Sequence, residues 1–309
     1  MKPVRLTLLA VVTLSAIVFA QDPQQRVFRA GVQTVPIYAT VVDSTGRLVP
    51  DLKQEDFEVM DNGKPSPITL FVAEVQPISV VLAIDTSGSM TLVLDDFVKQ
   101  AAEAFVLRMM RADRGLIGAF DDKIRFGKEF TGERDELLRY LRTDVQFGNG
   151  TRLWDALYQS VALLKEETNR KVVLALSDGE DTSSKNADGN DVLSRAQDDH
   201  VMVYAIGMRN RYRGGPNGEW VTSRPDPFLR KLTAQTGGGN FDISKATELN
   251  TTFSRVADEL HRQYLIGIAP AVLDGKLHKL ELRVKAPGIT ARARQSYMAT
   301  KDAPAPATR

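Results

Sequence analysis

The sequence has no cysteine, only three histidines and almost no excess charge of either sign. Without cysteine the chain forms no disulfide, no thiolate metal site and no thiol nucleophile, and it carries no lipid-modified cysteine. Forty Lys and Arg residues against thirty-nine Asp and Glu residues leave a formal charge of +1. No global field therefore draws the protein to nucleic acid or to an anionic membrane, and any charged recognition must be local.

Long apolar runs are also scarce, apart from one at the amino terminus. Lys2 and Arg5 precede an apolar stretch over residues 6–20, and polar residues follow it. This pattern predicts a signal peptide cleaved after Ala20 and hence a secreted or periplasmic protein. The alternative is a membrane anchor, but about fifteen apolar residues fall short of the roughly twenty that a spanning helix needs. We expect no membrane span after the signal is removed.

The two flanks of the remaining chain show the period-two alternation of half-buried β-strands. On the amino-terminal side this alternation covers residues 35–41 and 68–72, and it returns after Tyr264. Each flank alone has too few strands for a stable core. We therefore expect residues 26–76 and 262–300 to pair into one β-sandwich, with two separate small sheets as the alternative. The tail over residues 301–309, rich in Ala and Pro, is expected to be disordered.

Between the flanks, short apolar runs alternate with segments of helical spacing. The runs that indicate buried strands cover residues 78–85, 115–120, 172–177 and 201–207. Apolar stripes of helical period begin at Leu94, Leu153 and Leu249, and Asp226-Pro227 and Gly237 are typical of a helix start and stop. The sequence thus predicts an α/β fold over residues 77–261, a doubly wound and mostly parallel sheet inserted in the flanking β-sandwich.

Polar residues leave the carboxyl ends of two predicted buried strands. One strand is followed by Asp85-Thr86-Ser87-Gly88-Ser89 and another by Asp178-Gly179, while Gly150-Thr151 enters a predicted helix. Loops at this edge of an open parallel sheet form the usual ligand crevice. The oxygen ligands suit a hard cation. Taken alone, the first segment could equally be a helix cap, because Ser and Asp are favoured there.

These three segments together resemble the metal-ion-dependent adhesion site (MIDAS) of von Willebrand factor type A domains. The resemblance covers residues 77–261 and rests on Asp-x-Ser-x-Ser at residues 85–89, Gly150-Thr151 and Ser-Asp-Gly at residues 177–179. It implies that Asp85, Ser87 and Ser89 coordinate a divalent cation directly. It further implies that Thr151 binds directly or through water and that Asp178 acts through water.

Two carboxylates and three hydroxyls do not saturate Mg²⁺, which prefers about six oxygen ligands. We expect Mg²⁺, with Mn²⁺ or Ca²⁺ as alternatives, and a protein partner whose Asp or Glu carboxylate completes the coordination shell. An intact site that only stiffens the fold remains an alternative. The other acids nearby, Asp121, Asp122, Asp155, Glu180 and Asp181, are expected to be solvated turn and helix-cap residues.

Enzymatic function is not expected, and we assign no catalytic residue. An aspartic protease needs a second copy of Asp85-Thr86, which the chain lacks, and a haloacid dehalogenase-like phosphatase needs an Asp where Ser87 stands. A serine hydrolase needs a Gly two residues before its nucleophile and a suitably ordered His. The three histidines, His200, His261 and His278, lie on unrelated predicted elements, which argues against a histidine metal site.

The segment over residues 209–225 follows the predicted strand 201–207 and should emerge beside the metal site. It is rich in arginine and contains aromatic residues that favour recognition. We expect contacts with an acidic partner from Arg209, Arg211, Tyr212, Arg213 and Trp220. The alternative is a solvated, disordered insertion.

Overall fold

The structure is a computed structural model that describes residues 34–213 and 218–300, without the side chains of residues 91–96, 212 and 213. The predicted signal peptide and the carboxy-terminal tail lie outside the described residues.

The described residues form sixteen β-strands and six α-helices. The strands are β1 (Val35–Val42), β2 (Phe57–Asp61), β3 (Lys64–Ser66), β4 (Ile68–Val72), β5 (Ile78–Asp85), β6 (Arg114–Phe120), β7 (Ile124–Phe126), β8 (Arg170–Ser177), β9 (Met202–Met208), β10 (Arg211–Arg213), β11 (Trp220–Thr222), β12 (Asn240–Ile243), β13 (Tyr264–Ile268), β14 (Leu277–Val284), β15 (Thr290–Arg292) and β16 (Ser296–Met298). The helices are α1 (Thr91–Arg108), α2 (Arg134–Thr143), α3 (Leu153–Leu163), α4 (Gly189–Asp198), α5 (Phe228–Thr236) and α6 (Leu249–His261).

The central sheet has the strand order β12-β9-β8-β5-β6-β7. Its strands pair in parallel except for the antiparallel edge pair β6 and β7. Every residue of β5 is buried, as a strand covered on both faces requires. The parallel register places the ends of β5, β8 and β9 at one edge of the sheet.

Helices cover both faces of this sheet. Residues of α1, α2 and α6 share one buried apolar cluster with the sheet, and residues of α3, α4 and α5 share the other. Helix α5 spans Phe228–Thr236, and the Asp226 Oδ1 atom accepts a hydrogen bond from the Phe228 amide at 2.9 Å, as expected for a capping residue before Pro227. Gly237 ends the helix in the left-handed conformation at φ 87°, which confirms the predicted stop.

Two four-stranded antiparallel sheets flank the α/β part, with the orders β15-β1-β13-β4 and β16-β14-β2-β3. Their apolar faces share one core, which includes Ile37, Phe57, Ile266, Leu280 and Tyr297. Each sheet contains strands from both ends of the described chain. The predicted fold class is confirmed, namely α/β with a largely parallel central sheet and additional antiparallel sheets. The domain limits at residues 76 and 261 stay a prediction.

A buried polar network joins the first of these sheets to the α/β part. Arg292 of β15 pairs with Glu259 of α6, and the Tyr204 hydroxyl donates to Glu259 Oε2 at 3.4 Å. The Gln263 Nε2 atom lies 2.7 Å from Thr40 Oγ1 and 3.2 Å from the Tyr204 hydroxyl. Because buried polar groups are costly unless they are paired, these contacts fix how the two parts pack.

Among the described residues, no helix has both the length and the apolar character needed to cross a membrane.

Candidate metal centre

The structure gathers the predicted metal ligands at the carboxyl edge of the central sheet. Asp85 is the last residue of β5, and Asp178 directly follows β8. Both carboxylates are fully buried, Ser87 and Thr151 are nearly so, and Ser89 is half-buried. The sheet itself brings together residues that lie far apart in the sequence, because neighbouring parallel strands end at the same edge.

Asp85 is held rigidly by hydrogen bonds to both of its carboxylate oxygens. The Ser87 amide donates to Oδ1 at 2.9 Å, and the Ser177 hydroxyl donates to Oδ2 at 2.6 Å. The first bond closes the tight turn that follows β5, and the second links β5 to β8. The carboxylate therefore has a fixed orientation before any ligand binds.

Hydroxyl groups connect Asp85's turn to Asp178. The Oγ atoms of Ser87 and Ser89 lie 3.1 Å apart, and the Ser89 hydroxyl donates to Asp178 Oδ1 at 2.8 Å. On the other side, the Ser223 hydroxyl donates to Asp178 Oδ2 at 2.8 Å. Four of the five predicted ligands are thus in one hydrogen-bonded group.

Thr151 approaches this group from a neighbouring loop, without a direct side-chain hydrogen bond to it in the contacts described. Its amide donates to the Thr182 hydroxyl at 2.9 Å, and its carbonyl accepts hydrogen bonds from the amides of Thr182 and Ser183. Its Oγ1 atom lies 4.0 Å from where a Cβ at position 179 would stand. A Cβ atom at position 179 would therefore be in ordinary van der Waals contact with the Thr151 hydroxyl.

Burial strongly disfavours the negative charge on both carboxylates. Burial, together with the nearby charge of Asp178, raises the pKa of Asp85 to about 7. Burial also raises the pKa of Asp178. Among the described ion pairs, neither carboxylate has a Lys, Arg or His partner. A buried acidic pair of this kind, surrounded by hydroxyl oxygens, has the donor chemistry that a hard divalent cation requires.

The same edge has no competing site built from the usual strong ligands. Within residues 34–213 and 218–300, no three His, Cys, Asp or Glu side chains are grouped so that they could hold a metal ion. The hydroxyls of Ser89, Ser177 and Ser223 donate to the two carboxylates, so a cation bound there would meet hydroxyl oxygens.

Two of the neighbouring acids are not the solvated residues that the sequence suggests. Asp121 is buried and pairs with Arg125. Asp155 is also buried and accepts hydrogen bonds from the amides of Lys185 and Asn186 at 3.0 and 2.9 Å. Although burial alone would raise the pKa of Asp155, these amides and a neighbouring guanidinium lower it. The expectation that these two acids are solvated was wrong, because tertiary contacts bury them. Both side chains instead stabilise loops around the site.

The arginine-rich segment after β9 contains a two-stranded antiparallel hairpin, in which Arg211 pairs with Thr222 and Arg213 with Trp220. Arg209 and Arg211 are exposed, and the Arg211 guanidinium stacks 5.6 Å from the centre of the Trp220 ring. Trp220 is 60% exposed. Tyr212 lies on β10 opposite Val221. Arg211, Tyr212, Arg213 and Trp220 therefore lie on strands, and Arg209 lies between β9 and β10.

Two residues that the sequence analysis did not single out connect the hairpin to the site. Asn210 and Ser223 stand at its two ends, and the Ser223 amide donates to the Asn210 carbonyl at 2.9 Å. The Asn210 Nδ2 atom donates to the Ser89 carbonyl at 2.5 Å, while Ser223 binds Asp178 as described above. Their signal in the sequence is weak, since a polar residue beside a turn is common.

These observations define a class of protein, a doubly wound α/β domain with an oxygen-lined site at the carboxyl edge of its sheet. The family model of the von Willebrand factor type A domain matches residues 79–255, which is more than half of the chain. The protein therefore belongs to the von Willebrand factor type A domain family. No curated protein matches the chain.

Solved structures show the same fold at low sequence identity. A von Willebrand factor type A protein from Catenulispora acidiphila is 14% identical with a TM-score of 0.51, and the match covers 89% of this chain and 76% of that one. Proximal thread matrix protein 1 from the mussel byssus, with a zinc-occupied MIDAS motif, is 14% identical with a TM-score of 0.51 over 63% and 48%. An aerotolerance-related membrane protein from Bacteroides fragilis NCTC 9343 is 14% identical with a TM-score of 0.50 over 59% and 98%.

Proposed function

We propose that the protein binds another protein through a divalent cation, Mg²⁺ in the first instance and Mn²⁺ or Ca²⁺ otherwise. The residues that would hold the cation are Asp85, Ser87, Ser89, Thr151 and Asp178. When bound, the cation supplies an open coordination position for an Asp or Glu carboxylate of the partner. The proposal assigns no catalytic residue and no enzymatic activity.

The observation that carries the proposal is the buried carboxylate pair with its chain of hydroxyls. Asp85 and Asp178 are 0% exposed, and Ser87 and Ser89 lie between them. Two buried carboxylates without a cationic side chain weaken a fold unless something else compensates their charge. A cation held by these oxygens would do so. The half-buried Ser89 keeps the group close to the surface, where a partner can approach.

The exposed hairpin supports a protein partner of acidic character. Arg209 and Arg211 add positive charge beside the site, and Trp220 adds a broad amphipathic surface. Tyr212 and Arg213 belong to the same hairpin. Because Asn210 and Ser223 bind the site loops directly, the hairpin and the proposed cation would act on one ligand.

An extracytoplasmic location fits this proposal. The charged start, the apolar stretch over residues 6–20 and Ala20 have the features of a cleaved signal peptide. One structure of similar fold is that of a protein described as a membrane protein. We therefore propose that the mature protein is secreted or periplasmic.

A structural role for the cation is the second candidate. It is favoured by the hydrogen bonds that already tie β5 to β8 and the hairpin to Asp178, because an ion among them would strengthen the same links. In that case the cation would raise the melting temperature, and no partner would depend on it.

Affinity capture from envelope extract separates the two candidates. The immobilised protein should retain a partner in Mg²⁺ and release it in chelator. Asp85→Asn should abolish retention, whereas Asp122→Asn, the same substitution at an exposed neighbour, should preserve it. Retention that is equal in Mg²⁺, in chelator and with Asp85→Asn would contradict metal-dependent binding.

The hairpin is tested with the captured partner. Replacing Arg209, Arg211 and Arg213 by Ala should slow association and flatten its dependence on salt, because electrostatic attraction acts mainly on the association rate. The affinity for the cation should not change. Association kinetics that are unaffected by the triple substitution would exclude the hairpin from the interface.

A further inference from the structure

A small cavity lies where the β-sandwich meets the α/β part, away from the candidate metal centre. Tyr38 of β1 and Arg294 line it from the sandwich side, and Arg170, His200 and Gln235 line it from the α/β side. Its volume is about 30 Å³. Because a single water needs roughly 10–15 Å³ of cavity volume, the cavity has room for about two waters or one small ion.

The cavity wall is strongly cationic. Arg170, Lys171 and Arg294 all contribute to it, and none of its described lining residues is Asp or Glu. No described ion pair involves any of these three side chains. Acids act on them from outside the lining, with Asp113 near Arg170 and with Asp199, Glu166 and Glu167 near Lys171.

Arg170 is almost completely buried and has only neutral partners. The residue is 6% exposed. Its Nη1 atom donates to Gln263 Oε1 at 2.8 Å, its Nη2 atom donates to the Leu260 carbonyl, and its Cζ atom lies 5.0 Å from the centre of the Tyr38 ring. Its buried Nε atom has no acceptor among the described residues. Neutral acceptors compensate the buried positive charge only in part, and Asp113 acts on it without a described ion pair.

Arg294, on the opposite side of the junction, is half-buried and also has neutral hydrogen-bond partners. Its Nε atom donates to the Ser296 carbonyl at 2.8 Å, and its Nη1 atom lies 3.1 Å from His200 Nδ1. Burial lowers the pKa of Arg294 to about 10. Burial, Arg294 and Lys171 together lower the pKa of His200 to about 4, so the imidazole is neutral near pH 7 and accepts from Arg294.

We propose that this cavity binds one small monovalent anion of halide size, chloride under physiological conditions, between Arg170 and Arg294. An anion there accepts hydrogen bonds from buried guanidinium groups and neutralises charge that water alone would leave unbalanced. It also connects a side chain of the sandwich to one of the α/β part. The cavity volume excludes phosphate esters and larger ligands. The anion therefore acts as a structural bridge between the two parts.

Thermal unfolding at constant ionic strength provides the first test. Replacing sodium gluconate, whose anion is too large for the cavity, by NaCl should give a saturable rise in Tm on the order of 3 °C at about ten times the dissociation constant. Gln235→Glu places a carboxylate in the cavity wall and retains an acceptor for the Ser296 hydroxyl. This variant should lose the chloride effect.

Gln100→Glu is the matched control, because Gln100 is exposed on α1 and does not line this cavity. It makes the same charge change away from the cavity and should keep the full chloride effect. Chloride and gluconate series that superimpose in the native protein overturn the proposal. A chloride effect of equal size in all three proteins also overturns it, since the effect then arises elsewhere.

Crystals of the native protein grown in NaBr give a second, independent test that does not depend on a variant folding. An anomalous bromide peak in the cavity, between the two guanidinium groups, is the expected result. Density for water alone at that place, with no anomalous signal, overturns the proposal.

Discussion

Removing Arg292 should destabilise the protein far more than removing a surface arginine. The Arg292 guanidinium pairs with the Glu259 carboxylate, whose side chain is only 1% exposed, and it also contacts the Tyr204 hydroxyl at 3.3 Å. In Arg292→Met the aliphatic part of the side chain is kept, so the change mainly leaves Glu259 buried with a poorer set of partners. The variant therefore measures the ion pair rather than the loss of packing.

The magnitude follows from burial. Breaking a buried ion pair by removing one partner costs about 3–5 kcal/mol. Here the Arg292 side chain is 34% exposed, and Arg255 Nε stays 3.1 Å from Glu259 Oε1, so solvent and the second arginine reduce the loss. We expect a decrease of about 2–3 kcal/mol in the free energy of unfolding.

Arg230→Met is the matched control, because Arg230 pairs with Asp242 but its side chain is 68% exposed. Exposed pairs contribute about 0–1 kcal/mol, so this variant should unfold almost like the native protein. Urea denaturation followed by circular dichroism gives both values. If Arg292→Met loses no more stability than Arg230→Met, the buried network does not hold the sandwich against the α/β part.

His200 at the junction and the pairing of the two sandwich segments can each be tested separately. The pKa of His200 is lowered to about 4, below its unfolded value of about 6.5, so its contribution to stability is complete above pH 6.5 and is lost as the pH falls towards 4. His200→Asn, which tolerates φ 55° at this position, should remove up to about 3 kcal/mol of the pH dependence of the free energy of unfolding between pH 4 and 7. Denaturation curves whose pH dependence is unchanged in this variant would refute the assignment. Residues 27–75 expressed alone should be unfolded by NMR and should fold when joined to residues 264–300. Among the described strands of the amino-terminal segment, only β2 and β3 pair with each other, and β1, β2 and β4 all pair with strands of the carboxy-terminal segment. A folded amino-terminal fragment would argue against the proposed insertion.

The strands of the central sheet could be predicted because burial on both faces leaves a direct mark in the sequence. Strand β5 begins and ends where the apolar run over residues 78–85 predicts. Its last residue, Asp85, is polar although it is fully buried, and this contrast at a strand end is what indicates a site. The site motif was therefore visible before the fold was known.

Short edge elements were missed because they bury little. Strand β12 is partly exposed and pairs only with β9, so its residues show neither an apolar run nor a clear alternation. Helix α2 buries only Leu137, Leu138 and Leu141 among charged residues. In both cases packing against the rest of the chain, rather than local preference, decides the structure.

The polar contacts between distant segments could not be predicted from the sequence. Arg292 and Glu259 are separated by thirty-three residues, and Arg170 and Arg294 line one cavity although they lie on distant segments of the chain. Asp155 likewise looks like a solvated cap residue until its amide partners are known. Such contacts depend on tertiary packing, which a single sequence does not specify locally.

Calorimetric titration of the metal-free protein with Mg²⁺ and Mn²⁺ tests the central claim most directly. The native protein and Asp122→Asn should each bind one divalent ion with modest, reversible affinity, because only two carboxylates contribute to the site. Asp85→Asn should stay folded, as judged by circular dichroism, and should show no binding heat. A folded Asp85→Asn variant that binds the ion as the native protein does would contradict the assignment of Asp85, Ser87, Ser89, Thr151 and Asp178 as the metal site.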